Sequence, residues 1–447
     1  MDIKGKRITI LGAERSGVGA ARLVKRLGGI PFVSDFASEE KVSASIKFLK
    51  DEGIAFECGA HSDSVYDAEF IVISPGVPSN APVAEEARKK GIRLISEIEF
   101  ASFYCKGKVI AITGTNGKTT TTTLIDHLIN ASGRKCYTAG NIGVAFSDVV
   151  QEVKPDEFVS LEVSSFQLDH CFTFKPAVSL ILNITPDHLN RYQNSFDNYI
   201  VSKYRMFQSL DSGDVLILNG DDANLAPEKI KTTSRVKYFS LTKTADSYLK
   251  DGVIYTDEGG TKHTYKVSDL FLRGEHNYAN VMSSILAVTS AGIKFEDIAP
   301  HLASFKGVEH RLEFVAEIDG VKYINDSKAT NVDSVWFALR SFEEPLYLIL
   351  GGTDKGNDYG QIRDLVLDKV KKIFAIGSSA EKVYSYFHRE VKVEIKSSLE
   401  ECISAANLEA RSGEVVLLSP ACASFDMFDN YEHRGRVFKN AVRELIG

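Results

Sequence analysis

Short, uninterrupted apolar runs, each ending in glycine or a polar turn and each followed by a helical pattern, recur along the whole chain. The run at 8–11 leads through Gly12 into a helix around 20–27, and the run at 70–73 ends at Ser74-Pro75-Gly76. The run at 109–112 gives way to Thr113-Gly114 and a helix whose Leu124, Ile125, Leu128 and Ile129 share one face. Further runs stand at 158–163, 178–184, 215–218, 346–350, 373–376 and 415–418. A strand that is apolar throughout must be covered on both faces, and helices between successive strands supply the crossovers that parallel pairing requires. The expectation is an α/β chain of parallel sheets, in three clusters that begin near residues 8, 109 and 346. The boundaries are placed at 96 and 307, giving domains 1–96, 97–307 and 308–447. Between the last two runs, Ser397-Ser398-Leu399-Glu400 reads as the capping box of a helix that closes near Gly413.

At 447 residues the chain is long enough for several such cores. Lys plus Arg number 53 against 60 Asp plus Glu, a net charge of −7, which argues against a nucleic-acid or anionic-membrane binder acting through bulk charge. No stretch approaches the roughly 18 apolar residues of a membrane span. The opening Met1-Asp2-Ile3-Lys4-Gly5-Lys6-Arg7 runs into only four apolar-rich residues and reads as the approach to a first strand, not as a signal peptide. Six cysteines, at 58, 105, 136, 171, 402 and 422, have no Cys-x-x-Cys spacing. Scattered thiols suggest a reducing, cytoplasmic setting and neither a disulfide frame nor a zinc site.

The segment Ile112-Thr113-Gly114-Thr115-Asn116-Gly117-Lys118-Thr119-Thr120 follows a buried strand and opens a helix. Glycines let backbone wrap phosphate oxygens and the helix N-terminus adds its positive dipole end. Lys118 would reach the β- and γ-phosphates and the Thr119 hydroxyl would ligate magnesium. Ile112 stands where a general P-loop has its first glycine, and a plain Gly/Thr-rich turn is the alternative; the order strand, Gly-Lys-Thr-Thr, helix favours ATP. Glu162 ends the next apolar run, where a carboxylate is costly unless it pairs or meets a cation; a solvent-facing strand end is the other option. Asp187 and His188 follow another buried run, in Asn183-Ile184-Thr185-Pro186-Asp187-His188-Leu189.

Together these segments resemble the Mur ligase family of ATP-dependent amide ligases, and the resemblance extends over essentially the whole chain. Its central loop has the form Thr113-Gly114-Thr115-Asn116-Gly117-Lys118-Thr119, also without the first P-loop glycine. Gly274-Glu275-His276-Asn277-Tyr278-Ala279-Asn280, Glu309-His310-Arg311-Leu312 and Asn325-Asp326-Ser327-Lys328-Ala329-Thr330-Asn331 are similar to three further family segments. Leu161-Glu162-Val163-Ser164-Ser165-Phe166-Gln167-Leu168 and Ser419-Pro420-Ala421-Cys422-Ala423-Ser424-Phe425-Asp426 point, within the family, to the branch that adds D-glutamate. The Asp-Asn-Pro-Arg motif of the diaminopimelate-adding branch does not occur, and Thr115-Asn116 replaces the Thr-His of the L-alanine-adding one.

The resemblance implies three domains: a Rossmann-like UDP-binding domain, a central P-loop ATPase-type domain and a Rossmann-like C-terminal domain for the amino acid. It implies attack of the carboxylate of UDP-N-acetylmuramoyl-L-alanine on ATP, then attack of the D-glutamate amine on the acyl phosphate, in peptidoglycan precursor synthesis. Gly114, Thr115, Asn116, Gly117, Lys118, Thr119 and Thr120 would hold ATP, with Asn277, Arg311 and Asp326. Two magnesium ions are expected, one held by Thr119 and Glu162, the other by His188 and Lys203. A lysine cannot ligate magnesium as it stands; in the family the matching lysine is carboxylated to a carbamate. Arg15, Ser16, Gly76, Asn141 and His188 would line the UDP-sugar site, while Lys328, Thr330, Lys355, Ser424 and Tyr431 would hold D-glutamate. Lys118, His188, Lys203 and Lys328 would be catalytic, in a monomer.

Alone, the turn Gly12-Ala13-Glu14-Arg15-Ser16-Gly17-Val18-Gly19 invites a dinucleotide reading, with Asp35 at the distance of a ribose-binding acid, but Glu14 occupies a glycine position of that fingerprint. Three rivals therefore remain at this point: a sister ligase with another acceptor, a nucleotide-driven switch and a dehydrogenase.

Overall fold

The computed structural model describes every residue except Lys355 and Gly447. The chain forms two compact units, Met1–Leu270 with Asn277–Phe305, and Phe271–His276 with Lys306–Gly447. Three sheets are distributed between them, two in the first unit and one in the second.

The first sheet is built from β1 (Arg7–Leu11), β2 (Ile30–Asp35), β3 (Ala55–Cys58), β4 (Phe70–Ile73) and β5 (Leu94–Ser96), in the order β3-β2-β1-β4-β5. All its pairings are parallel. The order reverses between β1 and β4, so the loops that follow these strands diverge and leave a crevice at their carboxyl ends. The helix after β1 spans Arg15–Arg26, five residues earlier at its start than the apolar pattern alone indicated.

The second sheet has nine strands: β6 (Lys108–Thr113), β7 (Cys136–Gly140), β8 (Phe158–Glu162), β9 (Val178–Ile181), β10 (Val215–Asn219), β11 (Arg235–Ser240), β12 (Ser247–Lys250), β13 (Val253–Glu258) and β14 (Thr261–Lys266). Their order is β14-β13-β12-β11-β10-β9-β6-β8-β7. From β7 to β12 the pairing is parallel, as expected for strands buried on both faces. The expectation of purely parallel sheets fails at β12 to β14, an antiparallel meander. Its strands lack a continuous apolar run, and its turns are two-residue loops in which both residues take positive φ: Asp251-Gly252 and Gly259-Gly260. Such primed turns match strand twist and make a tight hairpin.

The third sheet comprises β15 (Glu313–Ile318), β16 (Val321–Asn325), β17 (Leu346–Gly351), β18 (Val370–Ile376), β19 (Lys392–Ile395) and β20 (Val415–Leu418), ordered β15-β16-β20-β17-β18-β19. Only β15 and β16 pair antiparallel, again through a primed turn, Asp319-Gly320. Side-chain alternation sends Leu346, Leu348 and Leu350 into one core and Tyr347 and Ile349 into another, so this sheet is covered on both faces. In the first unit, by contrast, Ile10 and Val72 of the first sheet share one cluster with Ala111 and Val159 of the second. That shared core is why two sheets make a single compact unit.

The expected helix after β19 spans Leu399–Glu409 and ends short of Gly413. Ser398 accepts from the Glu401 N–H, but the Glu401 carboxylate returns to the Ser397 N–H, one residue outside a true capping box.

Candidate active site

The segment after β6 turns sharply because two of its residues have no side chain. Gly114 and Gly117 take φ of 154° and 83°, and Gly117 stands at the N-cap of the helix Lys118–Ala131. A Cβ on Gly117 would lie 2.4 Å from Asn280 Oδ1. The turn is pinned to the segment after β9: Thr115 N–H donates to Asn183 O, Asn116 N–H to Asn183 Oδ1, and Thr115 Oγ1 to Thr185 O. Lys118 Nζ folds back over the loop and donates to Gly114 O and Thr115 O, at 2.8 Å each. Helix N–H groups and an ammonium thus converge on one small volume, an arrangement that suits polyphosphate. Asn277, predicted from sequence, is buried near this loop, one helical turn before Asn280.

β8 lies beside β6, and its last residue brings Glu162 to the loop. The carboxylate is 1% exposed; it accepts from Thr119 Oγ1 at 2.8 Å through Oε2 and from Asn141 Nδ2 at 2.8 Å through Oε1. A hydroxyl and a buried carboxylate meeting at one point are the hard oxygen donors magnesium selects, so these residues fit such an ion. Lys203, on the helix Phe196–Tyr204, is 1% exposed and donates to Gly114 O at 2.9 Å, its Nζ 4.7 Å from the Tyr199 ring centroid. Burial and the Lys118 charge push its ammonium well below the usual lysine range, against the pull of Asp187 and Asp169. The amine is therefore biased towards its neutral, nucleophilic form.

His188 takes a left-handed φ of 53°, lies 3.6 Å from Asp187 Oδ2 and packs edge-on against Phe166 at 5.2 Å. The β1/β4 crevice is a cavity of about 800 Å³, lined among others by Arg15, Ser16, Asp35, Phe36, Gly76 and Asn141. Four of the predicted UDP-site residues are thus brought together, while His188 is not among the described lining residues. Asp35 accepts from the Ala13 and Ala37 N–H groups, so its carboxylate organises the two turns of the crevice. The guanidinium of Arg15 donates to the carbonyls of Gly143, Gly140 and Asn141.

In the second unit, Lys328 Nζ lies 3.3 Å from the Tyr431 hydroxyl and 5.1 Å from its ring centroid. Thr330 follows in the same turn, its N–H donating to Lys328 O, and Ser424 is buried in the loop after β20. Lys355 lies outside the described residues. Asp326 accepts from Ser419 Oγ and Leu312 N–H; burial pushes its carboxyl up to about 6, opposed by the nearby Arg311. A residue not anticipated from sequence holds this region together. Arg434 is 2% exposed and donates to Ser327 Oγ and O and to Cys422 O, tying two distant loops to one helix. Asn183, Asn280 and Arg434 act through partners remote in sequence, so no local pattern marks them.

A glycine-turned strand-to-helix loop, at the carboxyl end of a parallel sheet and beside a buried carboxylate, places the chain in the class of P-loop-type α/β proteins. Family comparison narrows that class: the Mur ligase middle domain matches residues 112–288, and the Mur ligase, glutamate ligase domain matches 310–422. The chain belongs to the Mur ligase family. Over 464 aligned residues it is 42% identical to the UDP-N-acetylmuramoylalanine--D-glutamate ligase of Chloroherpeton thalassium, covering 99% of each chain. Among solved structures it resembles the UDP-N-acetylmuramate-alanine ligase of Thermotoga maritima, with a TM-score of 0.62 at 18% identity over 98% of this chain and 100% of that one. The MurF ligase of Thermotoga maritima in complex with ADP is similar at a TM-score of 0.59 and 18% identity, over 85% of this chain and 90% of that one.

Proposed function

We propose that this chain is an ATP-dependent amide ligase that adds D-glutamate to UDP-N-acetylmuramoyl-L-alanine in peptidoglycan precursor synthesis, and so serves cell shape and division. The observation that carries the reading is end-to-end similarity, above 40% identity, to ligases named for that reaction. ATP as the energy source is supported by the loop at 113–119 and by the ADP complex of a solved neighbour.

The chemistry follows from what a carboxylate lacks. Its oxygen is a poor leaving group, so the L-alanyl carboxylate attacks the γ-phosphorus of ATP, the bond to the β-phosphate oxygen breaks and ADP departs. The amine of D-glutamate attacks the acyl carbon of the resulting acyl phosphate, inorganic phosphate leaves, and the ammonium proton is lost. Several anions must be held together, so positioning and positive charge dominate catalysis. Lys118 and the N–H groups of Gly114 to Thr120 hold the β- and γ-phosphates, with Asn277, Arg311 and Asp326 arranging the rest of the nucleotide. Thr119 and Glu162 would hold one magnesium ion, and His188 with a carboxylated Lys203 a second. Such ions supply neutralisation of the developing phosphoryl charge. Carboxylation of Lys203 joins its neutral amine to CO2 and releases one proton; the depressed basicity of this buried amine supports it. Arg15, Ser16, Gly76, Asn141 and His188 serve the UDP-sugar. Lys328, Thr330, Lys355, Ser424 and Tyr431 serve D-glutamate, whose two carboxylates call for cations and hydroxyls.

We place the domain boundaries at 96 and 307, and read the enzyme as a cytoplasmic monomer acting on small molecules. Among the described residues no helix is long and apolar enough to cross a membrane. The test is phosphate release from ATP with UDP-N-acetylmuramoyl-L-alanine, with and without D-glutamate and then with L-glutamate, L-alanine, L-lysine and diaminopimelate. Release strictly dependent on D-glutamate, with a product heavier by one glutamyl residue, is expected. Turnover with another amino acid would make the chain a sister ligase, and release indifferent to all of them a nucleotide switch.

A further inference from the structure

The turn after β4, Ser74-Pro75-Gly76-Val77-Pro78, forms one wall of the crevice in the first unit. Its two prolines have no N–H, so the turn can stabilise itself with few internal hydrogen bonds; one is Val77 N–H to Ser74 O. Its outward carbonyls are instead gripped by a side chain from the other sheet. Arg191 Nη2 donates to Pro75 O at 3.1 Å and reaches Val77 O at 3.5 Å. Arg191 sits in the short turn Leu189–Tyr192 directly after His188, and its N–H donates to His188 O. Its guanidinium carbon lies 4.4 Å from the Phe166 ring centroid, and that ring is the one packed against His188. Arg191 is not itself among the described residues lining the crevice.

The grip is returned from the opposite side. Arg15, from the first sheet, holds the carbonyls of Gly140, Asn141 and Gly143 in the second, and Asn141 in turn holds Glu162. Each sheet therefore has its ligand-facing loop fixed by an arginine of the other.

We propose that Arg191 is a positioning residue for the UDP-sugar substrate: its guanidinium bridges the turn around Gly76 to the Phe166–His188 pair, setting the crevice against the phosphate loop. The inference rests on the ligase reading given above. Both halves of the bridge need a planar cation, because stacking on Phe166 leaves the in-plane N–H groups pointing at the carbonyls, which an ammonium on a flexible stem cannot reproduce.

The experiment compares the wild type, Arg191→Ala and Arg191→Lys as full chains. Wild-type turnover dependent on D-glutamate comes first; its absence overturns the ligase reading alone. With turnover present, Arg191→Ala is expected to raise the KM for UDP-N-acetylmuramoyl-L-alanine about tenfold and to lower kcat, leaving the KM for ATP and D-glutamate within about twofold. Arg191→Lys is expected to recover little of this, because charge alone does not position the turn. An unchanged KM for the UDP-sugar, or full recovery with lysine, overturns the proposal. Amide hydrogen exchange on the ligand-free proteins supplies a readout that needs no activity: the Gly76 and Val77 amides should exchange faster in Arg191→Ala. Unchanged exchange there overturns the proposal, including in a protein that proves not to be a ligase.

Discussion

A buried lysine beside a second lysine carries the sharpest chemical commitment of the site. Lys203 is fully enclosed, its ammonium disfavoured by burial and by Lys118, and its Nζ touches the carbonyl of Gly114. Under the proposed function, replacement of Lys203 by Ala should lower kcat about a thousandfold, the scale of losing one preorganised electrostatic partner. Added short carboxylic acids should restore part of the rate by entering the space the carbamate occupies. Full activity in the unsupplemented variant would remove Lys203 from the mechanism. At this scale the sequence disclosed residues whose chemistry is local: Lys118 and Thr119 sit in a recognisable loop, and Glu162 stands out as a charge ending an apolar strand. It did not disclose Asn183, Arg191 or Arg434. Each is an ordinary polar residue until the fold delivers a partner: Asn116 for Asn183, Pro75 for Arg191 and Cys422 for Arg434. Lys203 itself reads as a solvated helix lysine without the family resemblance.

The phosphate loop works as an element only because its glycines go where side chains cannot. Gly117→Ala would force a β-carbon into a left-handed backbone and against Asn280 Oδ1. The expected outcome is a loss of ATP affinity of about tenfold or more, measured by calorimetry, since displacement of the loop misdirects its N–H groups. Affinity for the UDP-sugar should be much less affected; an unchanged ATP affinity would show that the loop tolerates the shift. Legibility among elements divides along the same physical line. Parallel strands buried on both faces announce themselves as continuous apolar runs, and most were readable to within a few residues. The meander Ser247–Lys250, Val253–Glu258, Thr261–Lys266 is solvated on one side, so no continuous run marks it, although Asp251-Gly252 and Gly259-Gly260 carry the turn chemistry of a hairpin. The same holds for Asp319-Gly320 between β15 and β16.

For the molecule as a whole, the join between the first two sheets contains an ionisable group with no exposure to speak of. Glu97 opens the helix Glu97–Ser102, is 1% exposed and accepts from the Ser147 N–H. Burial pushes its carboxyl up to about 7, with Ser147 and Arg15 pulling the other way. The folded protein therefore holds this proton more tightly than the unfolded chain. The stability it contributes is fully present below about pH 4.5 and is lost as pH rises through 7. Gln cannot ionise, so Glu97→Gln should gain on the wild type by about 2–3 kcal/mol between pH 4.5 and pH 8, by urea unfolding. A pH-independent difference between the two would mean that Glu97 stays ionised. None of this was visible in the sequence, where Glu97 and Glu99 look like ordinary acidic residues of a first helical turn.

The path of the chain has one more consequence. The segment Phe271–His276 belongs to the second unit, although the chain on either side of it, up to Leu270 and from Asn277 to Phe305, belongs to the first. Within that segment Glu275 pairs with Arg340 and the His276 ring packs on Phe337. The two units are therefore interleaved in the gene: no single crossover point separates them. A recombination event near codon 306 would swap most of the second unit but strand these six residues among foreign neighbours. The third sheet is thereby tied to its own version of that short segment, and the two must be inherited together or refitted to each other.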